Sequence, residues 1–108
     1  MTSRAAETTE WTFLTTHARV LVEIARDPET RMRDLAAACD MTERSIQAIV
    51  ADLEQAGFLS HSRVGRRNRY TVHPEQAFRH RNHAGYEVGS LLELFTTPPA
   101  TMQGLPAR

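Results

Sequence analysis

The sequence predicts a mainly α-helical fold with a small β-hairpin, an α+β architecture, and three observations carry that expectation. Apolar residues recur at helical spacing in several separate segments. Two short runs rich in strand-forming residues flank a glycine-containing turn near residue 65. A chain of 108 residues suits one compact domain with a modest core, and dimerisation would add to what it buries.

Composition narrows the function before any motif is considered. Hydrophobic content is 41% and charged content 24%, ordinary for a globular chain. There is no apolar run of membrane-spanning length, and "MTSRAAETTE" lacks the apolar stretch of a signal peptide. The expected location is the cytoplasm, with no membrane partner. The single Cys39 excludes an intrachain disulfide.

A formal net charge of zero conceals an asymmetry. Residues 1–58 carry six Arg against ten Asp or Glu, a balance of −4, whereas residues 60–83 carry six Arg against one Glu, a balance of +5. Local charge decides how a surface meets a polyanion. The densest cluster is "SRVGRRNRYTV", which places Arg63, Arg66, Arg67 and Arg69 within seven residues.

The elements follow in order. Residues 1–9 are small and polar and read as a disordered tail. "WTFLTTHARVLVEIARD" reads as a helix from Trp11, with Trp11, Leu14, Ala18, Leu21 and Ala25 on one stripe and Phe13, Val20 and Ile24 widening it. Pro28 disfavours helical geometry at Asp27. Arg31–Arg33 reads as a short strand, after which Asp34 opens an Ala-rich helix to Cys39. Asp40 stands at a turn, where Asp tolerates the left-handed conformation. Thr42 caps the next helix. Ile46, Ile49, Val50 and Leu53 form its inner face, and Gly57 ends it. "FLSHSRV" and "RYTV" read as strands joined by "GRRN", with Gly65 and Asn68 as turn residues. "GYEVGSLLELF" is a short amphipathic helix, and residues 97–108 are a Pro-broken tail. The expected organisation is a tail over 1–9, a compact unit over 10–75, a linker and a further helix over 76–96, and a tail over 97–108.

This succession resembles the winged helix-turn-helix domain of bacterial transcriptional regulators of the ArsR and MarR type, over roughly residues 11–73. Ala36 supplies the small residue of the first motif helix. Asp40 stands where the family usually has Gly. Leu35, Cys39, Met41, Ile46 and Ile49 supply the buried positions flanking the turn. "LEQAGFLSHSRVGRRNRYTV" adds the helix end and the wing. The resemblance implies a winged helix-turn-helix with an added C-terminal helix, and a homodimeric sequence-specific regulator, a repressor being the commoner role.

The physics of recognition points the same way. A helix fits the major groove, where base pairs are distinguishable by their donor and acceptor patterns. Thr42, Arg44, Ser45, Gln47 and Ala48 are the expected base-contacting positions, because Arg pairs with guanine and Gln with adenine. Arg63, Arg66, Arg67, Asn68 and Arg69 are the expected wing contacts to backbone or minor groove. Trp11, Leu14, Tyr86, Leu91, Leu92 and Phe95 exceed the needs of one small core and are assigned to a dimer interface, which would set two recognition helices about 34 Å apart.

No nucleophile motif, phosphate-cradling glycine loop or paired carboxylates are present, so an enzyme is not expected. No cofactor and no metal site are assigned. His80 and His83 lie three apart with His73 upstream, but "RHRNH" is ringed by positive charge, and the paired cysteines of thiolate-sensing relatives are missing. Two alternatives stand beside the DNA reading. One is a winged-helix interaction module that no longer reads DNA. The other is a sensor variant answering to a metal or to an unidentified small-molecule effector.

Overall fold

The computed structural model describes residues 11–97; both predicted tails fall almost wholly outside them. The order is α1 (Thr16–Arg26), α2 (Met32–Cys39), α3 (Glu43–Gln55), β1 (Leu59–Val64), β2 (Arg67–Val72), a single 3-10 turn (Arg81–His83) and α4 (Val88–Thr96). This is the expected α+β winged helix: helices around one core, with a two-stranded antiparallel hairpin beside them.

Two boundaries correct the sequence reading. The first helix begins at Thr16, not at Trp11, because Thr15 takes the cap position and its hydroxyl accepts from Ala18 N at 3.1 Å. Trp11 and Phe13 therefore lie ahead of the helix, 78% and 93% exposed. The expected strand at Arg31–Arg33 is absent: Arg31 is the extended N-cap and Met32 and Arg33 open α2. The segment before it does reach the sheet, since Pro28 O accepts from Tyr70 N at 2.8 Å.

The core is built from α1 outward. Val20, Leu21, Val22 and Ile24 of α1 are buried, and α1 packs against α2, α3, α4 and β2. Leu35, Ala36 and Cys39 come from α2, and Ile46, Ile49, Val50 and Leu53 from α3, as the helical spacing predicts. Phe58, Leu59 and Tyr70 close the hairpin side, and Val88 and Leu92 bring α4 onto the same core. Ile24 and Ile46 are fully buried, so truncating either to Ala would cost about 2–5 kcal/mol.

Three backbone positions give this chain its bends. Asp40 is left-handed, φ 56° and ψ 47°, and Met41 N reaches back to Ala36 O at 2.9 Å. That closes α2 and starts the turn into α3. Gly57, φ +89°, ends α3 in the same manner, with Phe58 N donating to Leu53 O at 2.9 Å. Gly65, φ +65°, takes the first central position of the hairpin turn.

The pairing Val64↔Arg67 leaves Gly65 and Arg66 as the whole connection between the strands. Asn68 is thus not a turn residue; it is a β2 residue paired with Arg63. A two-residue loop suffices because glycine supplies the positive φ that matches strand twist. After β2 the chain doubles back, Phe78 N donating to Tyr86 O at 3.1 Å and Val88 N to Gln76 O at 2.8 Å. Gly89 is required there, because a Cβ would stand 2.8 Å from Pro74 Cβ.

Candidate nucleic-acid interface

Helix α3 is fixed at its start and along its inner face. At its start, Thr42 Oγ1 accepts from Ser45 N at 3.1 Å, and its own proton goes to Ser45 Oγ at 3.0 Å. The Asp40 turn delivers α3 to this cap, and Ile46 and Ile49 anchor its inner face. Thr42, Arg44, Ser45, Gln47 and Ala48 are all exposed. Among the described residues, no hydrogen bond or ion pair engages the side chains of Arg44 or Gln47. Thr42 and Ser45 have already spent part of their capacity on each other.

The second half of α3 is acidic, and its charges are engaged. Asp52 Oδ2 lies 2.8 Å from His17 Nε2 of α1, and Glu54 Oε2 lies 2.5 Å from His61 Nδ1 of β1. Both carboxylates are thus tied to neighbouring elements. Glu43 in the first turn suits the positive end of the helix dipole.

The hairpin presents its arginines unequally. Arg66 sits in the turn and Arg63 on β1, both exposed and without an acidic partner among the described residues. Arg67 Nη2 donates to Glu29 O at 2.5 Å, and Arg69 Nη2 meets Glu29 Oε2 at 2.6 Å. Strand alternation puts Asn68 on the face shared with Tyr70, where Asn68 is half-buried and its Oδ1 has no hydrogen-bond partner among the described residues. Between the wing and the start of α2 lies a basic basin lined by Thr30, Arg31, Arg63, Arg66, Arg67 and Asn68. Sequence reasoning missed Glu29, Thr30 and Arg31. No periodicity links them to residues almost forty positions downstream; only the fold does.

The residues assigned to a dimer interface divide. Trp11 and Tyr86 are 78% and 69% exposed, and Phe95 is 38% exposed. Trp11 stacks edge-on with Phe13 at a centroid separation of 5.1 Å. Leu14 and Leu91 are half-buried. Leu92 is a correction: at 5% exposure it belongs to the chain's own core, because it faces α1 across the α4 contact. Leu94, 71% exposed, is an outward apolar residue that was not singled out.

A half-open apolar cavity of about 200 Å³ lies between α1, α3 and α4, lined by Leu21, Phe58, Phe78 and Leu91, with His17, Asp52 and Arg79 contributing the polar atoms. Trp11 is not part of its lining. The His80 and His83 rings lie 5.3 Å apart, and His80 Nδ1 accepts from Asn82 N at 3.1 Å. Among the described residues no three His, Cys, Asp or Glu side chains gather as metal ligands. Cys39 is 2% exposed. Burial pushes its thiol pKa up, with Glu23 and Asp40 adding to the rise against the opposing charge of Arg19.

Comparison with known proteins matches residues 12–68 to the family model described as the MarR family. Comparison with curated proteins finds no match.

Proposed function

The chain belongs to the MarR family, as a winged-helix, DNA-binding transcriptional regulator, and on that premise we propose that it acts as a homodimeric repressor. In this reading α3 enters the major groove, and Arg44 and Gln47 read base edges. Thr42, Ser45 and Ala48 complete the base-contacting set, Ala48 with a small apolar contact. Arg63, Arg66, Arg67, Asn68 and Arg69 form the wing contacts to phosphate or minor groove. Residues 10–75 form the DNA-binding unit, and residues 76–96 the connection and dimerisation helix.

One observation carries this assignment. α3 offers Arg44 and Gln47 to solvent, without a side-chain partner among the described residues, while its two C-terminal carboxylates, Asp52 and Glu54, meet His17 and His61. Both carboxylates thus have partners within the chain, although the Asp52 side chain stays 59% exposed, and this pairing favours DNA over a purely protein-binding role. Exposed Trp11, Tyr86 and Phe95 support pairing of two copies through the ends of the fold. The apolar cavity favours a second reading within the same function, in which a small effector docks there and alters DNA affinity. No helix among the described residues is long and apolar enough to cross a membrane.

The test is selection of bound duplexes from a randomised pool by the purified protein, followed by rebinding over a salt series. Enrichment of a palindromic site supports a dimeric sequence reader. A dimer neutralising about six to eight phosphates gives a log–log salt slope of about −5 to −7. Binding without enrichment would remove the base-reading role of α3, and absence of binding at low salt would remove the DNA-binding assignment.

A further inference from the structure

We infer that Glu29 is an internal counter-anion of the wing. It holds Arg69 and Arg67 by groups that DNA phosphates replace, and so sets how tightly and how salt-sensitively the hairpin grips nucleic acid. The inference rests on the DNA-binding reading above and deepens it.

Glu29 is placed by its turn, not by chance. Glu29 N donates to Asp27 Oδ1 at 3.2 Å, and Thr30 N to Asp27 O at 3.0 Å. The adjacent Pro28 O accepts from Tyr70 N at 2.8 Å. This small Asx-type turn is therefore hydrogen-bonded directly to β2, at the residue that follows Arg69. Arg69 Nη2 meets the carboxylate at 2.6 Å, and Arg67 Nη2 meets the main-chain carbonyl. Two of the four hairpin arginines are thus committed to one residue of a distant loop, while Arg63 and Arg66 are not.

The pair is open to exchange. The Arg69 and Glu29 side chains are 55% and 52% exposed, and a pair so hydrated holds weakly against a competitor. A phosphate offers guanidinium groups a stronger, bidentate partner. Binding therefore has to break the Arg69–Glu29 pair first, and that cost falls on every duplex alike, because phosphates carry no sequence. Part of the wing's charge is also already neutralised in the free protein, so DNA binding releases fewer counterions than four arginines would allow.

The experiment measures duplex binding over a salt series for the full-length wild type, Glu29→Gln, Arg67→Ala/Arg69→Ala and the triple variant, with Glu75→Gln, past the base of the hairpin, as a distant charge control. Urea unfolding confirms that each is folded. Glu29→Gln should bind all duplexes tighter at low salt, by roughly three- to tenfold per site. Its salt slope should steepen by about 1 per chain. Both gains should disappear in the triple variant, and Glu75→Gln should match wild type. Equal or weaker binding by Glu29→Gln, with wild type binding DNA, would overturn this inference alone. A gain that survives in the triple variant, or that Glu75→Gln reproduces, would also overturn it, by showing a diffuse charge effect. Failure of wild type to bind any duplex would overturn the DNA-binding reading and this inference with it.

Discussion

Arg19 Nη2 donates to the carbonyl oxygen of Cys39 at 2.8 Å in a half-buried setting. The bond ties α1 to the last residue of α2, immediately before the left-handed Asp40. A helix C-terminus leaves carbonyls without intrahelical partners, and a cation there also complements the dipole. Arg19→Met keeps much of the side-chain packing and loses the charged donor. It should lower unfolding free energy by about 1–2 kcal/mol, measured by urea denaturation, and loosen the turn that delivers the recognition helix.

Asp40 and Gly57 make opposite predictions from related geometry. Asp40 occupies the left-handed region at a cost that glycine does not incur, so Asp40→Gly should raise stability by about 0.5–1 kcal/mol. Gly57, φ +89°, would gain a Cβ only 3.2 Å from Gln76 Oε1. Gly57→Ala should lower stability by about 1–2 kcal/mol. Paired urea titrations decide both, and equal shifts in the same direction would contradict the backbone argument.

Cys39 is expected to be inert. With its thiol buried and its pKa raised by burial, alkylation should proceed at the rate of opening, not at the rate of a free thiol. The linkage has a definite sign. A pKa higher in the folded state means that the unfolded chain loses this proton first as pH rises. The Cys39 contribution to stability is therefore intact at neutral pH and declines above the ordinary thiol range. Replacing Cys39 with Ala should flatten that alkaline decline, which chemical denaturation at a series of pH values would show.

Leu92 and Phe95 lie on one short helix and should fail differently. Leu92→Ala removes a core side chain and should cost about 2–4 kcal/mol of stability. Under the proposed pairing of two copies, Phe95→Ala and Tyr86→Ala should leave the unfolding free energy of the monomer nearly unchanged and weaken self-association, read by sedimentation. Loss of dimer without loss of stability in Leu92→Ala would reverse these assignments.

Gln47 and Arg66 separate base reading from grip. Arg66→Ala should weaken binding to every duplex by a similar factor and reduce the salt slope by about 1 per chain. Gln47→Ala should change preference at one operator position, by about 1–3 kcal/mol of discrimination. Uniform loss across all sequences in Gln47→Ala would remove it from the base-reading set.

What could be read from the chain was local. Ile46, Ile49, Val50 and Leu53 face inward because helical spacing puts them on one side. Thr42 caps, Asp40 turns left-handed, and Gly57 and Gly65 take positive φ because each depends on its immediate neighbours. The arginine hairpin was legible for the same reason, though its turn is Gly65–Arg66 and Asn68 lies in the strand. Local signals also misled. Trp11–Leu14 continues the apolar stripe of α1, yet Thr15 offers a better start. Arg31–Arg33 has no strong helical pattern of its own, and Met32 and Arg33 are helical in α2, which packs on α1 and α3.

The sequence by itself determined the helix faces, the caps, the bends and the concentration of positive charge on one hairpin, since these follow from spacing and backbone preference within a few residues. Only the tertiary structure decided which charges are already paired. Glu29 with Arg69, Asp52 with His17 and Glu54 with His61 are brought together by packing of separate elements. Leu92 was assigned to its own core in the same way. Electrostatic and apolar contacts depend on distance in space, which sequence separation does not report, so the free arginines of the wing could be counted only after the chain had folded.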